Sequence, residues 1–232
     1  MVGDDPAATL DESLYPDVVE AGGLALALRG LARRRGIDVG DISASEFGPL
    51  FFATIDSPRG GIGVQVVPGR RSFYIVLSHR SHKWARGETD DLLDVLRVAE
   101  LWRGGAMLSE LASTFPFMSY RPIEEAYERG DHVPVQWQTL LQDADLDEIR
   151  PLLRAAHENE RLRELFPTVS HFTLLRLELD AENRSAGSVR IERNPAGDYR
   201  VVNSWSEVSR QAGTLDQAVA AAVAALPERS DR

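Results

Sequence analysis

Three alternating apolar runs lie between two helical patterns near the start of this chain, and the same order returns near its end. That doubled order constrains the fold more than any single motif does. The first three runs are residues 50–55, 62–67 and 71–79, parted by Pro58-Arg59-Gly60-Gly61 and by Pro68-Gly69. In the third, Phe73, Ile75 and Leu77 share one face and Tyr74 and Val76 the other, the period of a strand. A helix precedes them, opening at Pro16 and closing at Arg33, Arg34, Arg35 and Gly36. A second helix follows over 89–102, with Thr89 as its cap and Leu92, Val95, Leu96 and Ala99 as its apolar stripe.

At the other end a helix is expected over 146–165, broken near Asn159 and ended by Pro167. Strands follow at 172–179, 188–193 and from 199. The closing helix is capped by Thr214, with Gln217 completing a capping box. The predicted class is therefore α+β: two small antiparallel three-stranded sheets, each flanked by helices in the order α-β-β-β-α. The expected organisation is a disordered N-terminus over 1–15, a first module over 16–104 and a helical connecting segment over 105–144. A second module over 145–227 and a tail over 228–232 complete it.

A chain of 232 residues, 43% hydrophobic and 27% charged, has the size and composition to bury such cores. It contains no cysteine, which removes disulfides, thiolate nucleophiles and iron–sulfur clusters. The net charge of −10 opposes binding along a phosphate backbone, so nucleic acid is not an expected partner. Residues 1–16 have no apolar core of a signal peptide, and no apolar run reaches the length of a membrane span. A cytoplasmic setting without membrane contact is expected.

Positive charge concentrates in one stretch, Ser78-His79-Arg80-Ser81-His82-Lys83-Trp84-Ala85-Arg86, read as a loop from strand to helix. Arg80, Lys83 and Arg86 suit a carboxylate or phosphate, and His82 and Trp84 add polar and stacking contacts. A solvated loop balancing Asp90, Asp91 and Asp94 is the other reading. The spacing of His79 and His82 fits two metal ligands, but no third lies nearby, so no metal and no cofactor is expected. Asp131-His132 and Ser170-His171 put acid or hydroxyl beside imidazole. With His79 and His82, they make Asp131, His132 and His171 the weak candidates for acid/base catalysis. Trp137 is expected to anchor a binding cleft or a seam between modules.

Several short motifs recur in a fixed order after this point: Trp102-Arg103-Gly104-Gly105, Phe115-Pro116-Phe117, Trp137-Gln138, Leu162-Arg163-Glu164-Leu165-Phe166-Pro167, Ser170-His171 and Gly197-Asp198-Tyr199-Arg200-Val201. In this, residues 95–227 resemble an actinobacterial family of unknown function usually labelled as natural-product biosynthesis proteins. The label reflects where such proteins are encoded and supplies no catalytic residues. The resemblance implies a partner that is a biosynthetic protein, a precursor peptide or a small-molecule intermediate.

Three functions are consistent with the residues. The first is an accessory or binding protein recognising an acidic peptide, partner or intermediate. The second is a metal-independent tailoring enzyme using histidine acid/base chemistry. The third is an immunity- or chaperone-like interaction protein. The sequence leaves open which of these holds, and the oligomeric state with it.

Overall fold

The structure, a computed structural model, describes residues 10–45, 48–79, 82–206 and 208–227. The chain divides into two compact units, Met1–Glu128 and Arg129–Arg232. The segment 105–144 contributes to both of them rather than standing apart.

In the N-terminal unit, helices α1 (Pro16–Ala21) and α2 (Leu24–Arg35) precede strands β1 (Ile42–Ala44), β2 (Phe52–Ile55), β3 (Gly61–Val66), β4 (Phe73–His79) and β5 (His82–Thr89). Helices α3 (Leu92–Arg103) and α4 (Leu108–Thr114), strand β6 (Met118–Ser119) and helix α5 (Pro122–Arg129) follow. The strands form one antiparallel sheet in the order β1-β2-β3-β4-β5-β6. Its inner face packs Ile55, Ile62, Val64, Phe73, Ile75 and Leu77 with residues of α2 and α3 such as Leu28, Val95, Leu96 and Trp102. The opposite face is only half buried, as alternation in a one-sided sheet requires.

The C-terminal unit opens with α6 (His132–Gln142) and α7 (Arg150–Glu158). Strands β7 (Phe166–Ser170), β8 (Leu174–Glu178), β9 (Ser188–Arg193), β10 (Tyr199–Asn203) and β11 (Ser209–Ala212) make a second antiparallel sheet, closed by α8 (Leu215–Ala224). Leu152, Leu153, Trp137, Leu175, Leu177, Val189, Ile191 and Ala218 form its core.

The α+β class holds, but the sheets are larger than the predicted three strands, so the α-β-β-β-α order is not what either unit shows. Each unit runs helix, five-strand meander, helix, and the first sheet gains β6 as a sixth strand. The missed strands have clear causes. Strand β1 is only three residues long. In β5 small or polar residues, Ala85, Gly87 and Thr89, face the core, so no apolar alternation marks it. Pro167, read as a stop, lies inside β7, where an edge strand tolerates a missing donor.

Helix boundaries moved for equally local reasons. The predicted first helix is two, parted at Gly22 and Gly23 with φ of +82° and +135°. Asp91, not Thr89, caps α3 by accepting from the Leu93 amide at 2.8 Å. The Thr214–Gln217 cap of α8 forms at 3.3 Å, and the Gln217 side chain accepts from the Gly213 amide at 3.0 Å. Tyr15 falls in the segment expected to be disordered, yet it is 1% exposed and organises a turn. Its hydroxyl donates to the Val67 carbonyl at 2.6 Å and accepts from the Ser72 amide at 2.9 Å. No helix among the described residues is long and apolar enough to cross a membrane.

Candidate functional site: the outer face of the β4–β5 hairpin

The basic stretch is part of a hairpin, not a loop entering a helix. His79 ends β4, His82 begins β5, and the two are cross-strand partners. Arg80, one of the predicted binding residues, lies with Ser81 outside the described residues.

Register decides which side chains share a face. Lys83 and Arg86 are three apart, so a regular strand would send them to opposite faces. The pairing is irregular here: Leu77 opposes Ala85 while Ser78 opposes Lys83. Trp84 is thus the extra residue of a β-bulge. Lys83 pairs with Ser78 and Arg86 with Val76, two residues apart on β4, so both cations share the outer face. Both are exposed. Neither side chain forms an ion pair or hydrogen bond with another described residue.

The neighbouring strand leaves this face open. Gly61 pairs with Ser78, and Gly63 pairs with Val76 on one side and Thr54 on the other. A Cβ at Gly61 would have nothing nearer than the Thr54 methyl at 3.7 Å, and at Gly63 nothing nearer than the Val76 carbonyl at 3.9 Å. The result is a shallow trough over Gly61 and Gly63 of β3, with the Val76 and Ser78 side chains of β4 between it and the two cations.

The other basic residues nearby are engaged. Arg71 holds Asp17 through two bonds at 2.8 and 2.9 Å, and Asp17 sits below its ordinary pKa chiefly because of that contact. Arg70 pairs with Glu88, whose carboxyl is held down first by the Ser72 hydroxyl and then by Arg70.

His82 and Trp84 turn back into an aromatic cluster behind the trough. The His82 ring lies 4.5 Å from Trp84, edge-on, and 4.5 Å from Tyr127. Trp84 stands 6.3 Å from Trp102, and the Arg59 guanidinium stacks 3.7 Å over the Trp102 ring. Arg59 pairs with Glu128 at 2.6 Å, and Glu128 also accepts from the Leu108 amide at the start of α4 at 2.9 Å. This chain of contacts ties the hairpin to α3, α4 and α5. Gly60, at φ +110°, lets the β2–β3 turn press on β4, since an added Cβ there would collide with the Ser78 carbonyl. Arg59, Trp102, Tyr127 and Glu128 were not legible as site residues. They come from separate segments, and nothing in their local sequence marks them.

The remaining candidates lie in the C-terminal unit. Trp137 is 1% exposed in its core, and its indole N–H is shared between the Arg163 and Leu165 carbonyls at 3.0 and 3.1 Å. Asp131 precedes α6 and pairs with Arg129 at 3.2 Å. His132 opens α6 with its ring 5.9 Å from Phe166. Burial lowers its pKa below the ordinary histidine value, against the opposing pull of Glu182, Asp131 and Asp180. His171 is exposed at the β7–β8 turn, where it and Phe172 take left-handed φ values of +52° and +58°. His157 packs 5.3 Å from Trp137. No group of three or more His, Asp or Glu able to hold a metal ion occurs among the described residues.

No curated protein and no solved structure matches the chain. Residues 131–232 are similar to a protein family described as a family of unknown function (DUF6193), a match that begins two residues into the C-terminal unit.

Proposed function

We propose that this is a binding protein whose N-terminal unit takes an acidic, extended peptide in the trough beside Lys83 and Arg86. The bulge at Trp84 supports this reading, because it brings to one face two cations without an ion-pair partner among the described residues, one strand away from the side-chain-free strip at Gly61 and Gly63. A carboxylate-bearing chain supplies the charge that each cation lacks. On this reading the partner is a precursor peptide or another protein of natural-product biosynthesis, the setting that the resemblance of residues 95–227 implies.

Exposed ion pairs of this kind contribute about 0.5 kcal/mol each, so losing both should weaken binding roughly fivefold. Fluorescence anisotropy with a labelled Glu-rich peptide measures this. The Lys83→Ala, Arg86→Ala double variant should bind less tightly, and a Gln-for-Glu peptide should lose affinity for the parent by a similar factor. Equal affinity for the parent and the double variant would remove the trough from consideration.

A further inference from the structure

Two of the short sequence motifs, Trp102-Arg103-Gly104-Gly105 and Phe115-Pro116-Phe117, meet at a second recessed surface of the N-terminal unit. We propose that this cleft, between α3 and the stretch from α4 to Phe117, binds a small organic cation: an amine with an aromatic or bulky apolar body.

The cleft follows from how the chain reverses. At the end of α3 the Gly104, Gly105 and Ala106 amides donate to the Glu100, Trp102 and Leu101 carbonyls at 2.9, 3.1 and 3.2 Å. These bonds occupy the last carbonyls of the helix and stop it. Gly105, at φ +92°, then turns the chain towards α4. Neither Gly104 nor Gly105 has a side chain to fill the space beside the turn, and both line the cleft. The Phe115 amide closes α4 on the Leu111 carbonyl at 2.9 Å, and the Met118 amide donates to the Phe115 carbonyl at 2.8 Å. That tight turn sets the Phe115 and Phe117 rings 5.6 Å apart, tilted by 44°.

With Leu101, the two rings give the cleft its apolar lining and join it to the core of the unit. Phe115 is buried, while Phe117 and Leu101 are half-buried. The cleft has a volume of about 870 Å³. Sites for small molecules run to roughly 300–1,000 Å³, so it has room for a ring system and a side arm.

Charge selects the cation. The lining carries the carboxylates of Asp94, Glu100 and Glu110 against one guanidinium, Arg97. Every residue from 92 to 119 is among those described, so no acid or base of this stretch is left out of that balance. Arg97 is answered by Asp94 at 3.6 Å. The side chains of Glu100 and Glu110 are exposed and form no ion pair or hydrogen bond with another described residue. The carboxyl end of α3 adds to the negative potential. The amino end of α4 would oppose it, but the Leu108 amide there is taken by the Glu128 carboxylate at 2.9 Å. Two further cations reach this region and are engaged: Arg59 with Glu128 and the Ala106 carbonyl, and Arg103 with the Asp56 carbonyl. An ammonium group therefore finds unanswered carboxylates beside aromatic rings, whose faces attract it further.

The test uses the whole chain and dansylcadaverine, a naphthalene ring carrying a primary ammonium on a flexible tether. Binding should shift its emission saturably to shorter wavelength, and its uncharged N-acetyl derivative should bind far less. Glu100→Gln with Glu110→Gln should raise the dissociation constant about fivefold, with an unchanged melting temperature as proof of folding. Glu158→Gln with Glu160→Gln removes the same net charge from the other unit and should leave binding as it was. Thr114→Arg places a cation one helical turn from Glu110 and should weaken binding as well. No saturable shift, equal binding of the N-acetyl derivative, or equal losses in the two double variants would overturn the assignment. Displacement of the probe by a Lys-rich peptide at lower concentration than by 2-naphthylmethylamine would overturn the small-molecule reading.

Discussion

Two residues show how single polar groups set local stability here. The Tyr15 hydroxyl satisfies both the Ser72 amide and the Val67 carbonyl from a buried position. Tyr15→Phe keeps the ring and leaves those groups without their partner, at a cost of about 1–3 kcal/mol. Chemical denaturation should show the loss, and an unchanged midpoint would refute it. His132 acts through protons instead. Its folded pKa lies below the ordinary value of 6.5, so the unfolded chain takes up the proton first as pH falls. The contribution of this group is complete above the unfolded pKa and is lost as pH falls through the folded one. Unfolding of the C-terminal unit, followed from about pH 7.5 to about pH 5, should therefore show stability falling with acid. His132→Gln should flatten that slope, and a slope equal to the parent's would assign it to other groups.

At the level of elements, legibility followed the regularity of the alternation. Strands β3 and β4 have clean two-residue periods, and in β4 the shared face of Phe73, Ile75 and Leu77, read from the sequence, is the buried one. Strand β5 was not read at all. Its inward side chains are small, and the bulge at Trp84 breaks the period where Lys83 and Arg86 change relative face. The cations were therefore visible in sequence, but their shared face was not. The aromatic cluster was hidden for another reason: residues 59, 82, 84, 102, 127 and 128 meet only through tertiary packing. Strand β3 allows a separate test of the trough. A Cβ at Gly63 meets nothing closer than ordinary contact, and valine suits a strand. Gly63→Val should raise the melting temperature yet weaken binding of the acidic peptide. Tighter or equal binding would mean the floor plays no part.

At the level of the molecule, each unit has its own core and its own meander. A fragment of residues 129–232 carries one whole core and should fold cooperatively by itself, as circular dichroism during heating would show. A fragment without a melting transition would mean that the core is insufficient alone.

Strand β7 has a consequence for how these molecules behave when crowded. It is a border of the second sheet, where a neighbouring chain would find unused donors and acceptors. Pro167 supplies no donor there, and its carbonyl is already taken by the Gln136 side-chain amide at 3.2 Å. Backbone N and O of one strand residue point the same way, so both devices act on the same side. A second strand approaching that border meets one absent donor and one occupied acceptor. One donor and one acceptor of this border are therefore withdrawn from pairing with another strand, which opposes growth by adding copies of the chain at this position. Restoring the donor and freeing the acceptor, with Pro167→Thr and Gln136→Ala together, should turn a quiet border into a site of self-association detectable by light scattering.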